Sequence, residues 1–113
     1  LVIFLIFKRN ILPQIKVGYP MKDKKTYVNG QSVQSWEGDE LTYYFKSGII
    51  KARGLFIEGQ MEGEWKFYRE SGRLWQIGNF KNGIKNGSWL RYDKLGVLEY
   101  DKEFENGSIK KHR

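Results

Sequence analysis

The sequence predicts an all-β protein, an elongated antiparallel meander of stacked β-hairpin repeats with a 24-residue period. Three observations carry this. The 113 residues hold 13 glycines and 18 aromatics (4 Trp, 7 Tyr, 7 Phe) against 2 prolines, a composition suited to short strands joined by tight turns. Glycines recur at Gly48, Gly54, Gly59 and Gly63 and again, each 24 residues on, at Gly72, Gly78, Gly83 and Gly87. Large apolar positions keep the same frame: Tyr44, Tyr68 and Tyr92; Phe56, Phe80 and Phe104; Trp65 and Trp89; Ile50, Leu74 and Leu98. Self-similarity at a fixed period of this length is the mark of a repeat architecture.

Taken in order, residues 1–26 form an apolar and basic segment with a linker. Leu1–Phe7 is an unbroken apolar run followed by Lys8-Arg9-Asn10, and the chain does not begin with Met. Seven residues are too few to span a bilayer, which takes about 20 in a helix. Two readings carry equal weight: the end of a truncated transmembrane helix with a cytoplasmic basic stop, and a β-strand rich in Val, Ile and Phe. A signal peptide of an exported chain ranks behind both, because no small-residue cleavage site follows Phe7. Pro13 and Pro20 bracket the linker.

Residues 27–43 read as a degenerate repeat. Tyr27-Val28-Asn29-Gly30 with Trp36 repeats the spacing of Phe56-Ile57-Glu58-Gly59 with Trp65, and a five-residue insertion around Glu37-Gly38-Asp39-Glu40 follows. Three repeats come next, at 44–67, 68–91 and 92–113, the last incomplete and lacking its second strand. In the middle copy one strand is expected over Arg73–Lys81 and another over Ser88–Tyr92, with Asn82-Gly83 and Asn86-Gly87 bounding the connection. Asn-Gly is a strong turn signal because both residues tolerate positive φ.

Strand alternation then assigns faces. One face carries Ile50, Ala52, Gly54 and Phe56, then Leu74, Gln76, Gly78 and Phe80, then Leu98, Tyr100, Lys102 and Phe104. Its outer rows are apolar, so it is the expected core face, and its glycines let an aromatic ring from Trp65 or Trp89 lie flat on the sheet. The opposite face carries Lys51, Arg53 and Leu55, then Trp75, Ile77 and Asn79, then Glu99, Asp101 and Glu103. It varies between copies and holds the tryptophan outside the repeat frame. Lys51, Arg53, Leu55, Trp75, Ile77, Glu99 and Asp101 are therefore the candidate protein-binding residues.

Tyr68-x3-Gly72-x-Leu74-x3-Gly78-x-Phe80-x-Asn82-Gly83-x3-Gly87-x-Trp89-x2-Tyr92 resembles a MORN repeat in its bacterial variant. The resemblance covers residues 44–107 well and 27–43 weakly. It implies β-hairpin arrays that bind proteins or membrane lipids without catalytic residues, and an antitoxin-like component of a toxin–antitoxin system. The chain departs from the pattern at Lys102 and Lys111, where glycines would stand.

Charge and composition exclude several function classes. The formal net charge of +7 comes from the ends: residues 1–25 carry +5, the last six carry +3, and residues 26–107 sum to −1. A nucleic-acid binder needs its basic residues on the folded surface, so nucleic acid is not the expected partner. With no cysteine and a lone His112 near the terminus, thiolate chemistry, Cys-ligated metals and His-based triads are excluded. Glu37, Asp39 and Glu40 lack the ligand order of a calcium loop. No spacing supports a nucleophile–base pair, so the expectation is a non-enzyme with no cofactor, no metal and no small-molecule substrate. The expected partner is a protein. The alternative is a membrane-surface module in which Lys8, Arg9, Lys16, Lys22, Lys24 and Lys25 meet anionic lipid, each contributing about 1 kcal/mol near the surface. The expected location is cytoplasmic, with an N-terminal membrane anchor on the first reading of Leu1–Phe7.

Overall fold

The computed structural model describes residues 26–111. The strand and anchor readings of residues 1–7, the basic residues from Lys8 to Lys25, and His112 lie outside them. The chain divides into two units, Leu1–Val33 and Gln34–Arg113. In the first, the described part is a turn closed by a bridge between Thr26 and Ser32. In the second, the described residues form one open antiparallel sheet: β1 (Gln34–Glu37), β2 (Glu40–Tyr44), β3 (Ile50–Ile57), β4 (Gln60–Tyr68), β5 (Leu74–Lys81), β6 (Ile84–Lys85), β7 (Gly87–Tyr92), β8 (Leu98–Glu105) and β9 (Ser108–Ile109). Neighbours in sequence are neighbours in the sheet, with β6 and β7 both pairing β5. The predicted all-β antiparallel meander is therefore the observed fold.

Two kinds of connection alternate. Within a hairpin the turn has two residues with positive φ: Glu58-Gly59 (52° and 79°), Asn82-Gly83 (52° and 80°) and Asn106-Gly107 (50° and 91°). Between hairpins a five-residue loop closes on itself. Phe45 N–H donates to Ile49 O, Arg69 N–H to Arg73 O and Asp93 N–H to Val97 O, at 2.8–2.9 Å. A side chain completes each loop. Ser47 Oγ and Ser71 Oγ accept from the N–H two residues on. Leu95 stands at that place in the third loop and cannot accept, so the Asp93 carboxylate takes the N–H groups of Leu95 and Val97, both at 2.9 Å. These backbone donors, led by Val97, hold the Asp93 carboxyl below its usual range.

The same loop appears a fourth time at Tyr27–Gln31, where Tyr27 N–H donates to Gln31 O and Asn29 Oδ1 accepts from Gln31 N–H. Gly30 has φ 91°, matching 95° at Gly48 and 94° at Gly72. Tyr27-Val28-Asn29-Gly30 thus corresponds to the inter-hairpin loop, not to the Phe56–Gly59 turn that its spacing suggested. Gly38 and Asp39 form a tight turn between paired Glu37 and Glu40. Consequently Leu41, 24 residues before Trp65, takes the tryptophan's place, and Trp36 lies across from it on β1.

Two further expectations are corrected. Asn82-Gly83 alone makes the turn of the middle hairpin, since Phe80 pairs Lys85 and Lys81 pairs Ile84. Asn86 breaks the returning strand into β6 and β7, and Gly87 (φ 111°) lies just beyond the break. The third unit does have a second strand, β9, pairing Phe104 with Ile109 and Glu105 with Ser108.

The core sits on one face and is built from rings laid over glycine. A Cβ at Gly54 would collide with Trp65, and one at Gly78 would lie 2.6 Å from Trp89 ring atoms. Trp65 is fully buried, and its Nε1–H donates to Leu55 O at 2.8 Å. Trp89, 4% exposed, repeats the bond to Asn79 O at 3.0 Å. A buried indole needs such a partner. Leu41 and Ala52 complete the buried cluster, with Tyr43, Phe56, Met61, Phe67 and Phe80 packed against it. Trp89 continues the row as edge-to-face contacts with Phe80 and Phe104.

Successive hairpins are tied at their turns by repeated bonds. Asn82 N–H donates to Glu62 Oε2 at 2.6 Å and Asn106 N–H to Asn86 Oδ1 at 3.0 Å. Gly83 N–H donates to Met61 O and Gly107 N–H to Lys85 O. Asn86, read from the sequence as part of a turn, thus has a structural role in the stacking of hairpins.

Candidate protein-binding surface

The aromatic face carries an open depression of about 450 Å³ lined by Tyr43, Phe45, Lys51, Ala52, Met61, Trp65, Phe67, Tyr68 and Trp75. Register explains how these residues converge. Tyr43, Ala52, Phe67 and Gln76 are successive cross-strand partners on β2, β3, β4 and β5, and partners share a face. Tyr43 pairs Ala52 while Tyr44 pairs Ile50, which leaves Lys51 as an extra residue. Phe67 pairs Gln76 while Tyr68 pairs Leu74, which leaves Trp75 extra. Glu99 is the third such residue, between the Tyr92–Leu98 and Arg91–Tyr100 pairs. A bulge of this kind sets two residues opposite one and breaks the alternation of side chains.

The candidate residues consequently divide. Lys51 and Trp75 line the depression with the core aromatics, which corrects their assignment to the opposite face. Glu99 holds the equivalent bulge on β8. Arg53, Ile77 and Asp101 do share the opposite face, along a ladder running Thr42–Arg53–Lys66–Ile77–Leu90–Asp101. Leu55 lies on that face too, paired with Glu40 and Glu62 and 44% exposed. Arg53 Nε–H donates to Thr42 Oγ1 at 3.0 Å, which turns its side chain along the sheet.

Cations gather around the depression. Lys51 Nζ lies 5.7 Å from the Phe45 ring centroid. The guanidinium carbons of Arg69 and Arg91 each lie 5.9 Å from the Trp75 ring, and that of Arg91 lies 4.7 Å from the Tyr100 ring. Arg91 Nε–H donates to buried Gln76 Oε1 at 3.0 Å, and Arg69 Nη2–H donates to Tyr92 O. The positive charge of Arg69 adds, behind the backbone donors, to the lowered proton affinity of the Asp93 carboxyl.

A comparison with protein families finds one matching segment within this array. Residues 61–82 match the MORN repeat variant. The matched segment runs from Met61 on β4 through the Arg69–Arg73 loop and β5 to Asn82, so it contains Trp65, Phe67 and Trp75. No curated protein and no solved structure is matched by the chain. Within the matched segment, sequence reading missed Phe67 and Arg69 as site residues, and beyond it Tyr43 and Arg91. The signal was present: a loop closing Tyr68 on Leu74 and a ring pairing Trp65 with Gly78 differ in register by one residue, and only a bulge between them reconciles the two. Glu37, Asp39 and Glu40 sit at the β1–β2 turn, and no group of three potential metal ligands occurs among the described residues.

Proposed function

We propose that this chain is a non-enzymatic binding module that captures a protein partner on the aromatic face of its sheet. The observation carrying the reading is the open depression in which Trp75, Tyr68 and Phe67 stand half-buried beside Arg69 and Arg91. Trp, Tyr and Arg dominate binding hot spots because each offers a large contact area together with polar contact. MORN repeats are linked to protein and membrane-lipid binding, which agrees with this use of the surface. On the finer reading the module is an antitoxin-like component whose partner is a bacterial toxin. It then works on the cytoplasmic side of a membrane when Leu1–Phe7 belongs to an anchor.

The test separates the two faces. A tagged full chain, its Trp75→Ser variant and its Ile77→Ser variant are used as bait, and any captured protein is purified and titrated against all three. Loss of binding with Trp75→Ser alone, at unchanged circular dichroism, supports the aromatic face. Loss with Ile77→Ser alone returns the site to the opposite face. Binding by neither face, with association to phosphatidylserine vesicles that requires Lys8, Arg9, Lys16, Lys22, Lys24 and Lys25, favours the membrane-surface module instead.

A further inference from the structure

The chemistry of the depression specifies more than a generic protein contact. Its lining is aromatic and aliphatic apart from Lys51, and it contains no carboxylate. Among the described residues neither Lys51 nor Arg91 makes an ion pair: Lys51 faces the Phe45 ring, while Arg91 is held by Gln76 and the rings of Trp75 and Tyr100. The fixed Arg91 side chain has spent one donor on Gln76, and a guanidinium has five in a planar fork. A fork already oriented by a hydrogen bond and two rings loses little freedom when it binds a carboxylate. Arg69 is committed elsewhere, its Nη2–H donating to the Tyr92 carbonyl at 3.0 Å.

Resting on the protein-binding reading above, we infer that this depression seats an acidic peptide segment of a partner, one large apolar side chain entering among Phe67, Tyr68 and Trp75 and flanking carboxylates meeting Arg91 and Lys51. Charge complementarity selects the occupant. The two bare cations stand on opposite sides of the Trp75 wall, one on β3 and one on β7, so carboxylates on either side of an anchoring side chain reach both. A basic or neutral segment leaves both cations without a partner in a contact that excludes water, which is unfavourable. An anionic membrane is the weaker occupant, because residues 26–107 sum to −1 and surface attraction needs a cluster of basic groups.

The experiment pans a random peptide display library against the full chain, then titrates the selected peptide against the parent, Lys51→Glu, Arg91→Gln and Trp75→Ala. Phosphatidylserine vesicles serve as a parallel probe. The inference expects a selected motif with Asp or Glu beside a Trp, Phe, Leu or Met, weakened about tenfold or more by each variant. Lys51 is exposed, so Lys51→Glu keeps the test valid if Trp75→Ala fails to fold. A motif without carboxylates, or one indifferent to Lys51→Glu and Arg91→Gln, overturns the acidic-peptide assignment while leaving protein binding intact. Vesicle binding with no selected motif overturns both. No motif and no vesicle binding also overturns the inference, and the capture experiment then decides the broader reading by itself.

Discussion

Gly78 and Lys102 hold the same place in successive units, 24 residues apart, yet their surroundings differ. Over Gly78 lies the Trp89 ring, in space that a single methyl group would occupy. Lys102 is exposed, and the position where the next tryptophan of the period would stand is Arg113. The first hairpin departs in the opposite way: Trp36 pairs with Leu41, which holds the tryptophan's place. Glycine and tryptophan thus occur together or not at all. Among the described residues the core of this sheet is made of glycine–indole pairs rather than of a second layer, and each unit that loses one member loses the other.

The largest effect should come from removing a ring. Trp65→Ala deletes the one tryptophan with no exposure and should cost about 3–5 kcal/mol in chemical denaturation. A cost near 1 kcal/mol would mean that the cluster does not rest on this indole. Next, Gly78→Ala should cost about 1–3 kcal/mol through overpacking against Trp89, whereas Lys102→Ala should stay within about 0.5 kcal/mol. The double variant Gly78→Ala/Trp89→Leu should show favourable coupling, because Leu41 already serves in the corresponding place. Simple additivity in that cycle would break the comparison.

A smaller effect sharpens the contrast between turns. Glu58 adopts φ 52° in the first of the three β-turns, where the other two place Asn82 and Asn106. Asn tolerates this region better than Glu, so Glu58→Asn should stabilise by about 0.5–1 kcal/mol, read as a raised denaturation midpoint. The smallest effect concerns pH. Asp93 has a lowered folded-state pKa, so its loop bonds contribute stability above the unfolded carboxylate's pKa, and that contribution is lost as pH falls through the lower folded value. Asp93→Asn should flatten the acid limb of the stability curve slightly, whereas Ser71→Ala should leave its shape unchanged because a hydroxyl does not titrate in that range. An identical acid limb in Asp93→Asn would refute the assignment.

Much of this was open to reading from residues alone. The glycine period placed the turns, the alternation through Ala52, Gly54 and Phe56 found the buried face, and the pairing of frame glycines with frame indoles anticipated the stacked rings. What misled was alternation carried past a bulge. Lys51 and Trp75 count as outward by parity, but each is the unpaired residue of its strand and lines the depression. The frame of residues 27–43 failed for a related reason. The spacing of Tyr27–Gly30 and Trp36 imitates a hairpin turn and its tryptophan, and only the hydrogen bond from Tyr27 N–H to Gln31 O shows which loop it is.

The sequence by itself determined the period, the turn chemistry and the buried face, since these follow from local φ preferences and from side-chain pattern along one strand. Tertiary structure alone decided which side chains share the depression and how Arg91 is held. Register between strands is a relation between distant residues, and a one-residue shift reverses the face a side chain meets. Arg91 becomes part of the candidate site only because β7 pairs with β5 at Gln76, which brings its guanidinium to Trp75.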